Sequence, residues 1–229
     1  MLSGDLHGAA GRKVVVEKFL QGEEASFICV VDGSTIVPLA TSQDHKARDE
    51  GDRGPNTGGM GAYSPTSVIS SELHQKIIKT VIQPVVSGMR ARGYHYRGFL
   101  YAGLMIETDQ SFNVLEFNCR FGDPETQPVL MRLDSDFADL CLRAATASLE
   151  GYQAKWNTRT ALTVVMASGG YPEKYRTGFP ISGLDQITGE NIKIFHAGTK
   201  QQDGQITNSG GRVLCVTALG NNVADAQSS

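Results

Sequence analysis

The feature that most constrains this chain is the stretch 114–128, VLEFNCRFGDPETQP. The apolar run that begins at Phe112 predicts a strand, and Glu116 and Asn118 lie at its end. Because side chains two residues apart in a strand share a face, these two are expected to point the same way. A carboxylate beside a carboxamide is a pair of hard oxygen ligands, typical of Mg²⁺ held next to a polyphosphate.

The turn after this strand adds further charge. Arg120, Asp123 and Glu125 follow within seven residues, and Gly122 and Pro124 favour a turn there. This is more charge than an ordinary strand end carries, and it indicates a phosphate-handling site. For Asp123 and Glu125 a second interpretation stays open, a salt-bridged turn beside Arg120, since structural ion pairs often mimic sites.

Composition limits the class of protein. The 229 residues are 40% hydrophobic and 20% charged, which is ordinary for a globular chain of one large or two smaller domains. A net charge of -3 argues against nucleic acid as the main partner. No apolar run is long enough to cross a membrane and no signal-peptide core is present, so a cytoplasmic location is predicted.

The four cysteines support the same location. Cys29, Cys119, Cys141 and Cys215 are widely spaced with no CxxC pair, which fits a reducing compartment better than a disulfide framework. Cys29, Cys119 and Cys215 each lie in an apolar, strand-like run. Buried free thiols are expected at these three positions.

The first part of the chain predicts an antiparallel sheet. The β-branched run 12–20 is typical of a central strand, and strands at 25–32 and 35–40 follow, joined by Asp32-Gly33. Residues 1–11 show no pattern. Because a domain rarely opens on a central strand, the pattern predicts that a natural N-terminal portion is missing.

Residues 41–64 have no apolar periodicity and predict a long loop. Within it, the glycines of 58–61 favour either an anion-holding backbone or a flexible hinge. Neighbouring Asp44, Lys46 and Asn56 favour a ligand-binding loop.

The remaining pattern predicts two units, residues 1–157 and 158–229, with the second β-rich and incomplete. A helix is expected from the Ser70 cap to about Met89, with a kink at Pro84. Further elements are predicted as strands at 98–107, 112–118, 161–167, 192–197 and 212–218, a helix at 134–149, and a helix beginning near 221.

Seven segments of the chain are long and specific enough to compare with known families. They are VEKFLQGEEAS (16–26), ATSQDHK (40–46), GPNTGGMGAYSP (54–65), GFLYAGLM (98–105), EFNCRFGDPET (116–126), HAGTK (196–200) and GGRVL (210–214). Together they resemble the phosphoribosylamine–glycine ligases, also called glycinamide ribonucleotide synthetases, of the ATP-grasp superfamily. The resemblance runs in order along nearly the whole chain and covers the C-terminal half or so of such an enzyme. It implies an α+β fold, an ATP-grasp domain incomplete at its N-terminus followed by a small β-rich domain.

The resemblance assigns ATP binding to five residues. The strand positions that match Glu17, Phe19 and Leu20 read the adenine edge in this family. Glu24 matches a carboxylate that takes the ribose hydroxyls, although its simpler interpretation is an exposed strand end. Lys46 matches the cation that meets the phosphates.

The resemblance also implies a metal and catalytic groups. Glu116 and Asn118 match the family's ligands for Mg²⁺ (or Mn²⁺). Arg120 is expected to stabilise charge on the transferring phosphoryl group, together with Lys46. Asp123 and Glu125 are expected to orient either glycine's ammonium or the ribosyl amine.

The glycine-rich segment is expected to line the phosphoribosylamine pocket. The residues predicted to bind substrate there are Asn56, Thr57, Gly58, Gly59 and Gly61.

The activity implied is ligation of glycine to 5-phosphoribosylamine through glycyl phosphate, with ATP as co-substrate and purine biosynthesis as the setting. Two alternatives remain, an ATP-binding fragment without turnover and another ATP-grasp carboxylate–amine ligase. Expected partners are ATP, glycine and 5-phosphoribosylamine, without nucleic acid or membrane, and a monomer is favoured.

Overall fold

The computed structural model describes residues 8–187 and 189–229, apart from the side chain of Ala10. Strands and helices both contribute, as the predicted α+β class requires. The strands are β1 (Glu23–Asp32), β2 (Ile36–Pro38), β3 (Gln43–Asp49), β4 (Arg53–Ser64), β5 (Arg97–Ile106), β6 (Phe112–Asn118), β7 (Thr160–Ala167), β8 (Ile192–His196), β9 (Thr199–Gln202), β10 (Gln205–Asn208) and β11 (Arg212–Gly220). The α-helices are α1 (Ser71–Ile77), α2 (Gln83–Ala91), α3 (Thr126–Met131), α4 (Phe137–Ala145) and α5 (Val223–Ser228), and α1 continues into a π-helical turn, Ile78–Ile82.

The first sheet is antiparallel in the order β2-β1-β5-β6. Its central strand β1 is buried on both faces because alternate residues enter two different cores. Phe27 and Val31 pack under α1 and α2, whereas Ile28 and Val30 pack against α3 and α4. The sheet is therefore a layer between two helical layers, and β6 forms its edge beside the charged turn.

Local signals explain the helix starts. The Ser70 side chain accepts a hydrogen bond from the Leu73 N–H at 3.2 Å, and Asp136 caps α4 in the same way. The predicted helix starts at the expected cap and ends at Ala91. Pro84 has no N–H to give the helical ladder, and the turn before it is π-helical, with the Gln83 N–H donating to the carbonyl of Ile78.

The second sheet has the order β3-β4-β7-β11-β8, and all its pairs are antiparallel. Strands β3 and β4 precede the predicted boundary at 157, and β7, β8 and β11 follow it. Gly61 pairs with Val164 across this junction, and a Cβ at Gly61 would lie 2.7 Å from the Thr163 carbonyl oxygen. The sheet thus joins sequence-distant parts of the chain, while the division into 1–157 and 158–229 stays a prediction.

A buried arginine strengthens the same junction. Arg132 donates from Nη1 to Ser64 Oγ at 2.9 Å, from Nε to the Arg159 carbonyl at 2.7 Å, and from Nη2 to the Asn157 carbonyl at 3.1 Å. Burial lowers the pKa of its guanidinium. Arg132 therefore ties α3 to β4 and to the segment that leads into β7.

Two predictions about the first sixty residues are wrong. Residues 14–20 form no strand, and Val16 and Phe19 are 90% and 84% exposed. A β-branched run forms a strand only where neighbouring strands pair with it and bury one face, and no strand of the described residues pairs with it. The predicted loop 41–64 is instead the β3–β4 hairpin, which turns at Gly51 and Asp52 with φ of 71° and 59°. Its strands are polar and rich in glycine, so the alternation of apolar and polar residues that usually indicates a strand is absent from the sequence.

Smaller differences follow from local environment. Cys29 and Cys215 are buried as predicted, but Cys119 is exposed because it follows the end of edge strand β6. The helix predicted at 134–149 is shorter, and α3, β9 and β10 have no counterpart in the predicted pattern. The other predicted elements are confirmed within a few residues. No helix of residues 8–187 and 189–229 combines the length and apolarity needed to cross a membrane.

Candidate active site

A cavity of about 190 Å³ lies where β5, β6, the charged turn and the β3–β4 hairpin meet. We call it the acidic cavity because four carboxylates line it. Eight of its ten lining residues are among the site residues predicted from the sequence. The lining residues are Asp44, Lys46, Thr57, Gly58, Tyr101, Glu116, Asn118, Arg120, Asp123 and Glu125.

Two further cavities extend from this one towards the start of the chain. The hairpin cavity, about 320 Å³, is lined by Glu24 and Asn56 among others and shares Asp44 and Lys46 with the acidic cavity. The third cavity, about 520 Å³, is called the arm cavity because residues 17–20, in the segment before β1, line it. It shares Met105 with the hairpin cavity. Its lining includes the predicted adenine-binding residues Glu17, Phe19 and Leu20.

Lys46 is the cation between the acidic and hairpin cavities. Its ammonium forms an ion pair with Glu24 and lies 4.0 Å from Asp44 Oδ2. Partial burial lowers the pKa of Lys46, but the hydrogen bond and charge of Glu24 outweigh this effect and the pKa is raised. Lys46 is therefore charged at neutral pH, and its ammonium lies between Glu24 of the hairpin cavity and the acidic cavity.

Asp44 is a site residue that sequence reasoning left without a role. Its side chain is 7% exposed, and its Oδ1 has no hydrogen-bond partner among the described residues. Burial, and then repulsion by Glu125, raise the pKa of Asp44 to about 7, although Lys46 opposes the shift. Its position two residues before Lys46 could have identified it, since both side chains share one face of β3 once that segment is read as a strand.

Glu125 is held by a buried hydroxyl chain. The Ser26 hydroxyl donates to Glu125 Oε1 at 2.7 Å, and the Tyr101 hydroxyl lies 3.0 Å from Ser26 Oγ. Burial, together with the charge of Glu125, raises the pKa of Tyr101. Because the serine proton points to the carboxylate, Tyr101 donates to Ser26, and the chain orients one face of Glu125. Ser26 and Tyr101 were missed because they come from β1 and β5, far away in sequence.

The two arginines of this region differ in their contacts. Arg120 is exposed, and its Nη1 donates to the Phe121 carbonyl at 3.0 Å. Within the described residues it forms no ion pair. Asp123 pairs with Arg212 of β11, at 3.1 Å, and not with Arg120. The salt-bridged turn considered from the sequence therefore exists for Asp123, but with a partner that no local pattern indicates.

Glu116 and Asn118 both face the acidic cavity, as the strand argument predicts. Opposite Glu116 in the sheet lies Gly103, whose missing side chain leaves room: a Cβ there would lie 3.4 Å from Glu116 Cγ. In the described part of the chain no three His, Cys, Asp or Glu side chains form a metal-binding cluster. Two hard oxygen donors nevertheless suit Mg²⁺, which takes its other ligands from phosphates and water.

The predicted substrate-binding residues divide into two groups. Thr57 and Gly58 line the acidic cavity, and Asn56 lines the hairpin cavity. Gly59 packs against the charged turn, where a Cβ would lie 2.4 Å from Pro124 Cδ, and Gly61 packs against β7. These two glycines permit close approach of the backbone around the cavity rather than lining it.

Comparison with known proteins is consistent with this geometry. Residues 1–126 match the family model described as phosphoribosylglycinamide synthetase, ATP-grasp (A) domain, and residues 161–229 match the C domain of the same synthetase. Phosphoribosylamine–glycine ligase of Allochromatium vinosum is 60% identical over 227 residues, which are 99% of this chain and 53% of the relative. That of Escherichia coli (strain K12) is 55% identical over 228 residues, with the same two shares.

Solved structures agree. Phosphoribosylamine–glycine ligase from Thermotoga maritima superposes with a TM-score of 0.81 at 34% identity, over 93% of this chain and 52% of that one. An L-amino acid ligase from Bacillus licheniformis, 18% identical with a TM-score of 0.59 over 92% of this chain and 49% of that one, shares the fold alone. The α+β, ATP-grasp architecture predicted from the sequence is confirmed.

The chain spans about half the length of the curated relatives it matches. The ATP-grasp model alone covers more than half of the 229 residues, and the C-domain model follows it in the expected order. The chain therefore belongs to the phosphoribosylglycinamide synthetase family.

Proposed function

We propose that this chain contributes the metal-binding and phosphate-binding residues of an ATP-dependent ligase. The ligase joins glycine to 5-phosphoribosylamine and gives glycinamide ribonucleotide, ADP and phosphate. The observation that carries the proposal is that Asp44 and Lys46 line both the hairpin cavity and the acidic cavity. A nucleotide in the hairpin cavity would thus present its phosphates to Glu116, Asn118 and Arg120.

The nucleotide half of the site starts in the arm cavity. Glu17, Phe19 and Leu20 would offer backbone groups to the adenine edge, and Glu24 would accept hydrogen bonds from the ribose hydroxyls. Lys46 would then act as a point charge for the phosphates. The order in which these residues line the three cavities supports this path.

The acidic cavity would hold the reacting groups. Glu116 and Asn118 would bind Mg²⁺ or Mn²⁺, which neutralises charge on the phosphates when it is bound. Arg120, which has no carboxylate partner in the described structure, is free to stabilise the transferring phosphoryl group. No protein nucleophile is required, since positioning and charge neutralisation supply the catalysis.

The chemistry has two steps. Glycine's carboxylate oxygen takes the γ-phosphoryl group of ATP, so that ADP leaves and glycyl phosphate forms. The amine of 5-phosphoribosylamine then attacks the acyl carbon, phosphate leaves, and the amine gives up a proton. Glu125, oriented by Ser26, and Asp123 would orient the amine.

Asn56, Thr57 and Gly58 are proposed to line the phosphoribosylamine pocket, and each borders a cavity, which supports the assignment. Gly59 and Gly61 would contribute to substrate binding indirectly, by letting the backbone behind the pocket pack closely. We also infer a cytoplasmic, reducing setting, which the four unpaired cysteines support.

The test is ADP release that requires both glycine and 5-phosphoribosylamine. It is measured on the 229-residue chain and on a form extended upstream to the length of the relatives. Turnover in either form supports the ligase. ATP binding without turnover in both favours the ATP-binding fragment, which the half-length match makes a real alternative. If neither form binds ATP and neither turns over, both proposals are contradicted.

A further inference from the structure

Arg212 reaches the active site from the other end of the chain. It lies at the start of β11, within the segment matched by the C-domain model. Its guanidinium contacts two separate segments that line the acidic cavity, and these are the β4 glycines and the charged turn. Nη1 donates to the carbonyls of Gly58 at 2.6 Å, Gly59 at 3.3 Å and Asp123 at 3.0 Å, and Nη2 donates to Asp123 Oδ2 at 3.1 Å.

The glycine side of this contact is tightly packed. A Cβ at Gly58 would lie 3.1 Å from Arg212 Cζ, and Gly59 adopts φ of 107°. The Gly58 N–H also donates to the Tyr171 hydroxyl at 3.0 Å. The glycine pair is therefore held on both sides by the C-terminal part of the chain, and its missing side chains let Arg212 reach the backbone.

The contact of Arg212 with the charged turn affects both the charge and the position of Asp123. Asp123 is half exposed, and Arg212 is its ion-pair partner within the described residues. The carboxylate of Asp123 is thus fixed in direction and partly neutralised. Because Gly59 packs directly on Pro124, the glycine pair and the turn are in contact. Arg212 donates hydrogen bonds to both of them.

We propose that Arg212 is a positioning residue of the ligase reaction: its guanidinium holds the Gly58–Gly59 backbone against the Asp123 turn and thereby sets the wall of the cavity that receives the amine. This inference rests on the proposed function and adds a residue from the C domain to the site. Arg212 does not line the acidic cavity itself, so it acts through Gly58, Gly59 and Asp123.

A positioning role makes a prediction that a purely structural role does not. An ion pair that is partly exposed contributes little to folding stability. Displacing a reacting group by about 1 Å, in contrast, lowers turnover by about 100-fold. Loss of Arg212 should therefore affect catalysis much more than stability. The nucleotide side of the site should be affected less, since Arg212 reaches Lys46 only indirectly: the Gly59 N–H donates to Thr57 Oγ1, which donates to the Lys46 carbonyl.

The experiment compares Arg212→Met, Arg212→Lys and Asp123→Asn in the upstream-extended form. Arg143→Met is the matched control, because Arg143 forms an exposed ion pair with Asp139 within α4. Steady-state constants are measured separately for ATP, glycine and 5-phosphoribosylamine. Thermal unfolding and circular dichroism report on the fold. Because Asp123 is itself proposed to orient the amine, Asp123→Asn is interpreted only through the double variant with Arg212→Met. Arg212→Lys, which keeps the charge, is the second probe if Arg212→Met fails to fold.

We expect Arg212→Met to lower kcat/KM for the amine by about 10- to 100-fold, with KM for ATP within about twofold of wild type. Arg212→Lys should recover part of this loss, since an ammonium restores charge but not the four-way contact. The double variant with Asp123→Asn should lose less than the product of the two single losses. Arg143→Met should match wild type.

Two results would overturn the proposal. One is wild-type kcat/KM for the amine in a folded Arg212→Met protein, or in Arg212→Lys if Arg212→Met does not fold. The other is an equal loss for ATP and amine that follows a fall in melting temperature, which would assign Arg212 to stability alone. If the wild-type protein forms no product, the ligase function is refuted, and this inference with it. The wild-type assay alone distinguishes that outcome from the first two.

Discussion

Replacing Asp44 with asparagine tests the electrostatics of the site most directly. Burial and repulsion by Glu125 raise the pKa of Asp44 from 3.8 to about 7 in the folded chain. The protonated form is therefore favoured by folding, and ionisation of Asp44 in the folded state costs free energy. The cost is absent below pH 4, grows as the pH rises from 4 to 7, and is complete above 7.

The shift from 3.8 to about 7 corresponds to about 4 kcal/mol at pH 8, from about 1.4 kcal/mol for each pKa unit. Asparagine has the same shape and stays neutral, so Asp44→Asn removes this cost. The attraction to Lys46, 4.0 Å away, is already contained in the pKa of about 7 and is not subtracted again. The buried amide N–H groups of the new asparagine need acceptors, and this reduces the gain. We expect Asp44→Asn to be more stable than wild type by about 2–4 kcal/mol at pH 8 and equal to it near pH 4.

Urea unfolding of both proteins at several pH values between 4 and 8 measures this difference. Asp49→Asn is the matched control, because Asp49 lies on the same strand but is exposed and paired with Arg48. Its stability difference from wild type should not follow the rise seen for Asp44→Asn. A constant difference between Asp44→Asn and wild type across this pH range would refute the reasoning, since a buried carboxylate with a raised pKa must show the dependence.

Three further predictions concern the metal, the sheet junction and its buried arginine. Glu116→Ala should abolish Mg²⁺-dependent nucleotide binding by titration calorimetry, and unchanged affinity would contradict the metal assignment. Gly61→Ala should lower the free energy of unfolding by about 1–3 kcal/mol, because its Cβ would lie 2.7 Å from the Thr163 carbonyl oxygen, a backbone atom that cannot turn away. Arg132→Met should cost about 2–4 kcal/mol, because the buried Ser64 Oγ and two partly buried carbonyls lose their donor. Denaturant unfolding with no change in midpoint would contradict either stability prediction.

Sequence alone determined what depends on neighbours along the chain. The caps at Ser70 and Asp136 predict helix starts because a side chain there meets an N–H two or three residues later. The strand period places Glu116 and Asn118 on one face, and the structure confirms that both reach the same cavity. The long motifs identified the family, since their residue types and order are unusual.

Only the tertiary structure decided what depends on partners far away in sequence. Residues 12–20 have strand composition, but without paired neighbours in the described structure they form no strand. The 41–64 segment forms strands because β4 pairs with β7, a hundred residues later. Asp44 and Arg212 also depend on distant partners. Burial beside Glu125 raises the pKa of Asp44, and the register of β11 brings Arg212 to Asp123. Packing and electrostatics act through space, and no local pattern records them.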